Sequence, residues 1–412
     1  MNSPSIIVVG AGGRGAGYAR YLQKYPEMGT IVGVCEPIPE IQKTMKELYD
    51  ISDEMVFNSW EELAEKPKLA DCIFLCTQDR MHKDPAIAFA KKGYHMLLEK
   101  PMAPTAEDCV AIYDEVIKSG IIFAVCHVLR YTSFNKKLKE LVDSGLIGKI
   151  QTIQLLEPVG FWHQAHSFVR GHWRNSEESS PMLLAKSCHD IDLLNYFAPA
   201  KCKKVSSFGS LSHFRKECQP KGAGNRCNEC PEAIERNCPY SAYRIYLELK
   251  KDSWHSWPTN VLTKTPTEEA VREAIKTGPY GRCVYACDND VVDHQVVNME
   301  FEDNSTASFT MTAFNEGGSR ELLIMGDRGT LKNNGDLIEH YDFLTAKKEI
   351  IPIGMLEGGH GGGDSGLITD FLKAVAENNP SYITSGADVS LQSHLMVFAA
   401  EKARANNTVE KL

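Results

Sequence analysis

At 412 residues the chain exceeds what one ordinary hydrophobic core organises, so two domains are expected. Its 43% hydrophobic and 24% charged residues are typical of a globular protein. A net charge of −9 and a pI near 5.8 exclude a general nucleic-acid binder or a basic membrane-surface protein. No apolar run approaches the ~18 residues of a membrane span, and the first residues show no basic segment or cleavage site. Thirteen cysteines in such a chain are expected as reduced thiols of a cytoplasmic protein, binding metal where they cluster.

The first third alternates strand and helix patterns. Residues 6–9 read as a buried strand and 14–25 as a helix stopped by Pro26; 31–35 is a second strand and 40–49 a second helix. Ser59 and Glu62 form a capping-box signature. Residues 72–76 make a further apolar run, 81–92 a helix closed by Gly93, and 94–98 and 121–126 two more strands. Between those last two lies a helix that Thr105 and Asp108 cap. Apolar runs spaced by amphipathic helices imply a doubly wound parallel sheet over residues 1–126.

Residues 127–412 read differently, as an α/β domain with an open, mainly antiparallel sheet. A helix is expected over 134–144 and a strand over 149–157. Ser180-Pro181 opens a helix running to about Phe197, with serine as its cap. Residues 213–258 form an irregular, Cys-, Pro- and Asn-rich insertion without a core of its own, and Thr265 with Glu268 marks another capped helix. Period-two alternation over 290–353, broken at Asp303-Asn304, Gly317-Gly318 and Asn334-Gly335, predicts antiparallel strands with one face solvated or covered by a partner. A glycine loop at 358–363 precedes two closing helices.

The motifs point to a cofactor. Gly10-Ala11-Gly12-Gly13-Arg14-Gly15 matches G-x-G-x-x-G between a strand and a helix, where glycines let the backbone approach a pyrophosphate. Glu36 closes the second strand, at the place of the adenosine ribose, and would repel a 2′-phosphate, which favours NAD over NADP. Thr77 and His82 flank the fourth strand's carboxyl end on the nicotinamide side, while Asp79 and Arg80 read as solvated loop charges. Glu99-Lys100-Pro101 places a lysine at the same sheet edge, suited to polarising a reacting oxygen. Arg130-Tyr131 follows the sixth strand toward nicotinamide or substrate. Asp192 is a candidate for substrate hydroxyls or an exposed helical acid, and His294 and His360 read more as surface or interface histidines than as cleft residues.

With the glycine turn, Thr77 through His82, Glu99-Lys100-Pro101, His172-Trp173-Arg174, His189-Asp190-Ile191-Asp192 and the Gly-His-Gly-Gly-Gly-Asp run from Gly359, the chain resembles the Gfo/Idh/MocA oxidoreductases. The resemblance implies a Rossmann domain, a C-terminal α/β domain whose sheet forms a homodimer or homotetramer interface, and NAD(P)-dependent oxidation of small sugars or polyols. It also implies a catalytic Lys100, proton transfer at His189 and a Trp173–Arg174 pair by the cleft. The family's aspartate four residues before the histidine is replaced by Ala185, beside Lys186. Lys186 then has three readings, which the residues leave open: anion binding, acid–base work, or a pair with Asp190 at i,i+4. Net transfer of hydride to or from a sugar, sugar acid or cyclitol is the expected activity. The alternatives are a hydrolase or lyase working through transient oxidation, and a non-catalytic NAD-binding sensor. Cys218, Cys227, Cys230 and Cys238 are expected to hold a structural zinc, with an iron–sulfur cluster or free thiols as alternatives and Cys283 and Cys287 as spare ligands.

Overall fold

The computed structural model describes residues 3–265, 267–334, 337–354 and 359–412, and in it the apolar runs of the first third assemble as strands. These are β1 (Ser5–Val9), β2 (Thr30–Cys35), β3 (Val56–Phe57), β4 (Cys72–Leu75), β5 (His95–Leu98) and β6 (Phe123–Val125). They pair in parallel in the order β3-β2-β1-β4-β5-β6. Helices α1 (Gly13–Lys24), α2 (Pro39–Tyr49), α3 (Trp60–Glu65), α4 (Lys83–Lys91) and α5 (Ala106–Ser119) make the crossovers. Every residue of β4 is buried, as a strand covered on both faces requires. Strand order reverses between β1 and β4, so their carboxyl ends open a crevice where ligands of such sheets bind. Ser59 and Thr105 cap α3 and α5 by accepting from the Glu62 and Asp108 N–H groups.

After α6 (Ser133–Asp143) come β7 (Ile150–Pro158), α7 (Met182–Ala185), α8 (Cys188–Phe197), β8 (Cys202–Ser210) and α9 (Glu268–Thr277). Strands β9 (His294–Phe301), β10 (Thr306–Thr312), β11 (Glu321–Gly326), β12 (Gly329–Asn334), β13 (Leu337–Asp342) and β14 (Lys347–Pro352) then lead to α10 (Gly363–Glu377), α11 (Ala387–Asn406) and β15 (Val409–Lys411). The second sheet runs β14-β13-β12-β11-β7-β10-β9-β8-β15, with β7 and β10 parallel and the other neighbours antiparallel. Along β9, Gln295, Val297, Met299 and Phe301 point to the core and the alternate residues outward. The inner face packs against Leu183, Ile191, Leu194 and Phe197 of α7 and α8 and against Met396, Val397 and Ala400 of α11. Each such fully buried large side chain contributes about 1.5–3 kcal/mol. Gly335 and Gly358, expected in a turn and in the glycine loop, lie outside the described residues. Among the described residues no helix is long and apolar enough to cross a membrane.

Several expectations need correction. The helix expected from Ser180 to Phe197 is two helices, α7 and α8, separated at Lys186 and Ser187. Ser180 does not cap it; its hydroxyl donates to Asp79, which is buried rather than solvated. The cap of α9 is Thr267, which accepts from the Ala270 N–H, two residues beyond the expected Thr265. The cysteine-rich insertion does own a core: Phe214, Tyr240, Ile245 and Tyr246 pack with Val271 and Ile275 of α9 and with Val284 and Tyr285. Its folding unit therefore extends past residue 258 to about Tyr285.

Candidate active site

The glycine turn sits at the carboxyl ends of β1 and β4. Gly10 has φ +84°, and a side chain there would meet the Cys76 carbonyl at 2.7 Å. A Cβ on Gly15 would collide with the Gly10 carbonyl, whereas Gly12 and Gly13 face open space with nothing within 4 Å. Gly12 starts α1 without any side-chain cap, so the first-turn N–H groups and the positive end of the helix are left for an anion. This cradle fits a dinucleotide pyrophosphate. Glu36, at the end of β2, is buried; its carboxylate accepts from the Ala11 N–H at 2.9 Å and the Ile38 N–H at 3.2 Å. It thus braces the turn from the ribose position.

Arg14 does not point at the cradle as a free cation. Its Nε donates to Glu99 at 2.7 Å, and its Nη2 to Asp364, at the start of α10, at 2.8 Å. The Tyr18 hydroxyl also donates to Glu99, at 2.6 Å. Burial works to raise the Glu99 carboxyl, but Arg14 and Tyr18 outweigh it and hold the group below its usual range. The Thr77 hydroxyl bonds back to the Met81 carbonyl. His82 is fully buried with its ring nitrogens against the Pro101 and Thr77 carbonyls, which fixes the loop after β4 to the loop after β5.

Lys100 lies two residues beyond β5, and its ammonium donates to the Ala185 carbonyl at 2.6 Å. That carbonyl is one of the orphan acceptors at a helix end, left without an intrahelical donor because α7 stops there. The gap between α7 and α8 therefore has a use that the amphipathic pattern does not reveal. His189, in the first turn of α8, lies with its ring 6.1 Å from that of His127 and 6.0 Å from that of His360. Its Nδ1 is buried without a hydrogen-bond partner. Burial first, then the charges of Lys100, His360, His127 and Arg320, push its pKa well below 6.5, so the ring is neutral at physiological pH.

Lys186 does not pair with Asp190. Its Nζ lies 3.0 Å from Glu157, at the end of β7, while Asp190 pairs with Arg320, just before β11. Arg320 also lies 3.0 Å from the other Glu157 oxygen. Burial opposes ionisation of Glu157, but Arg320 and Lys186 hold it below its usual range; burial pushes Asp190 up to about 6. Glu157 and Arg320 carried no sequence signal: each is a charge at the edge of an alternating strand pattern. His360 is exposed, as a surface histidine would be, and it also binds Asp364 at 3.1 Å and brings its ring to 6.0 Å from that of His189.

Other expected site residues are engaged elsewhere. Asp192, neither a free hydroxyl ligand nor an exposed acid, is buried in a two-bond pair with Arg130 at 2.6 and 2.8 Å. Arg130 also donates to the Thr384 carbonyl. Arg174 forks onto Asp288, with 2.9 Å bonds from Nε and Nη2. Trp173 packs at the margin of the second core, next to Phe168. His294 is partly exposed and paired with Asp293. All thirteen cysteines are free. Cys227 accepts from the Ala242 N–H and Cys230 from the Gly224 N–H, and Cys218 donates to the Ser212 carbonyl. Among the described residues no three His, Cys, Asp or Glu side chains are grouped to hold a metal, so the zinc expectation at Cys218, Cys227, Cys230 and Cys238 finds no support.

An open glycine cradle, a lysine at the next strand end and a neutral buried histidine thus gather at the carboxyl edge of a doubly wound sheet, where such folds bind dinucleotides. The chain belongs to the Gfo/Idh/MocA oxidoreductase family: the model of its NAD-binding Rossmann fold matches residues 5–127, and that of its C-terminal α/β domain residues 139–410. It is 24% identical over 381 residues to the protein YteT of Bacillus subtilis, covering 87% of this chain and 83% of that one. It is 23% identical over 273 residues to 2,7-anhydro-N-acetylneuraminate hydratase of Mediterraneibacter gnavus, covering 66% and 67% of the two chains. The fold matches that of levoglucosan dehydrogenase in complex with NADH and L-sorbose, with a TM-score of 0.71 at 18% identity, over all of this chain and 99% of that one.

Proposed function

We propose that the protein transfers a hydride between NAD and a secondary hydroxyl of a sugar, sugar acid or cyclitol. The observation that carries this reading is His189, kept neutral and lacking a hydrogen-bond partner at Nδ1, in the field of the Lys100 ammonium. Gly10, Gly12, Gly13, Gly15 and Glu36 would hold the cofactor, and the Glu36 carboxylate favours NAD over NADP. Bound there, the nicotinamide supplies the hydride acceptor. His189 takes the hydroxyl proton, while Lys100, fixed by the Ala185 carbonyl, stabilises negative charge developing on the oxygen. Burial of His189 excludes water from its ring and strengthens that interaction. The protein is read as cytoplasmic, and as a homodimer or homotetramer joined through the second sheet. Its outward face sets Phe208 opposite Val296, both exposed.

Lys100→Met tests the assignment. With a panel of sugars, sugar acids and cyclitols, NADH formation should fall by about 10²–10³-fold while NAD binding is kept. Retained turnover would remove Lys100 from the chemistry. Cleavage or hydration of substrate with NAD recycled and no NADH accumulating would replace net oxidation by transient oxidation.

A further inference from the structure

We infer that the cleft selects substrates bearing a carboxylate, held by Lys186 and Arg320 beside the hydroxyl that reacts at His189; this rests on the oxidoreductase reading and narrows its substrate class. Lys186 and Arg320 each lie 3.0 Å from a different oxygen of the same Glu157 carboxylate. The two cations are thereby drawn together, which raises their mutual repulsion. The acids lie behind them: the side chains of Glu157 and Asp190 are 4% and 0% exposed, while those of Lys186 and Arg320 are 20% and 21% exposed. A ligand therefore meets the cations and not their counter-ions.

Among the described residues, cations crowd this corner of the cleft. Lys186 and Arg320 pair with Glu157 and Asp190, the Lys100 ammonium is bound by a carbonyl, and Glu99, the acid acting on Lys100, is shared with Arg14. The acids on the cofactor side are already taken: Arg14 binds Glu99 and Asp364, and Arg130 binds Asp192. Lys100 and Arg320, the permanent cations acting on His189, both disfavour its protonation, which marks a positive field at the reacting position, beside the salt bridges that Arg320 forms with Glu157 and Asp190. A carboxylate accepting from Lys186 and Arg320 relieves that crowding through charge-assisted hydrogen bonds, about twice as strong as neutral ones.

The test uses NAD-loaded protein and matched probes: glucuronate against glucose, galacturonate against galactose, and gluconate against glucitol, with binding followed by tryptophan fluorescence. Each acid should bind at least about tenfold more tightly than its neutral partner. Lys186→Met should abolish that preference without weakening the neutral sugars. Glu157→Gln, which removes a negative charge behind the cations, should strengthen acid binding several-fold; a general loss of structure would instead weaken both classes. Equal binding of acids and neutral sugars, no binding by any acid, or weaker acid binding in Glu157→Gln would each overturn the proposal. NADH formation is read separately. An acid preference without NADH leaves charge selection standing and removes the hydride reading. NADH from neutral sugars alone keeps the hydride reading and ends the charge selection.

Discussion

Asp192 and Arg130 show what a buried pair does to a residue's function. Both are sequestered, and their two hydrogen bonds leave the carboxylate no free oxygen for a substrate. Asp192→Ala should therefore destabilise the protein by about 3–5 kcal/mol, because it strands a buried guanidinium. Urea unfolding should reveal that loss; a raised KM with unchanged stability would return Asp192 to the substrate. The residues most legible in the sequence were those with a local geometric demand. Gly10, at positive φ against the Cys76 carbonyl, can only be glycine, and the strand–turn–helix setting advertises it. Glu157, Lys186, Asp190 and Arg320 were illegible as a cluster. Their partners come from β7, the α7–α8 gap and the approach to β11, and no short-range spacing encodes such a meeting.

At the scale of elements, period and caps placed the helices of the first third, because each answers to its own sequence. The α7–α8 break did not show itself. Residues 182–185 and most of 188–197 are buried, so an apolar run there fits one helix as well as two, and the deciding partner, Lys100, comes from another sheet. The cap of α9 offers a clean comparison. Thr267→Ala should cost about 1 kcal/mol, whereas Thr265→Ala should leave the melting temperature unchanged within error. The second sheet makes its own prediction. Phe208→Glu places a charge on the exposed stripe opposite Val296, so a dimer or tetramer should dissociate to monomer in light scattering with the fold retained by circular dichroism.

Across the whole molecule, buried histidines set the response to acid. Burial, outweighing the opposing Asp192, pushes His127 down to about 3; burial and then Arg170 push His166 to about 3; burial brings His394 to about 4. His394 shows why the neutral form is required: its Nε2 accepts from the Met102 N–H while Nδ1 faces the Ser390 carbonyl. Between pH 6.5 and about 4 the unfolded chain binds these protons and the folded one does not, so stability rises with pH across that window. Lowering pH from 7 to 5 should cost about 2 kcal/mol per histidine, read as a falling urea midpoint that His394→Gln partly flattens. A second molecular property follows from α10. Leu367, Ile368, Phe371 and Leu372 complete the core that holds Ile6, Val8 and Phe74, and Asp364 closes on Arg14. During translation at ~5–20 residues per second, that greasy flank must wait, uncovered, for more than two hundred further residues to leave the ribosome. A fragment cut after the sixth strand would stay in that waiting state, and anyone grafting this nucleotide-binding half onto another scaffold has to bring the distant helix along.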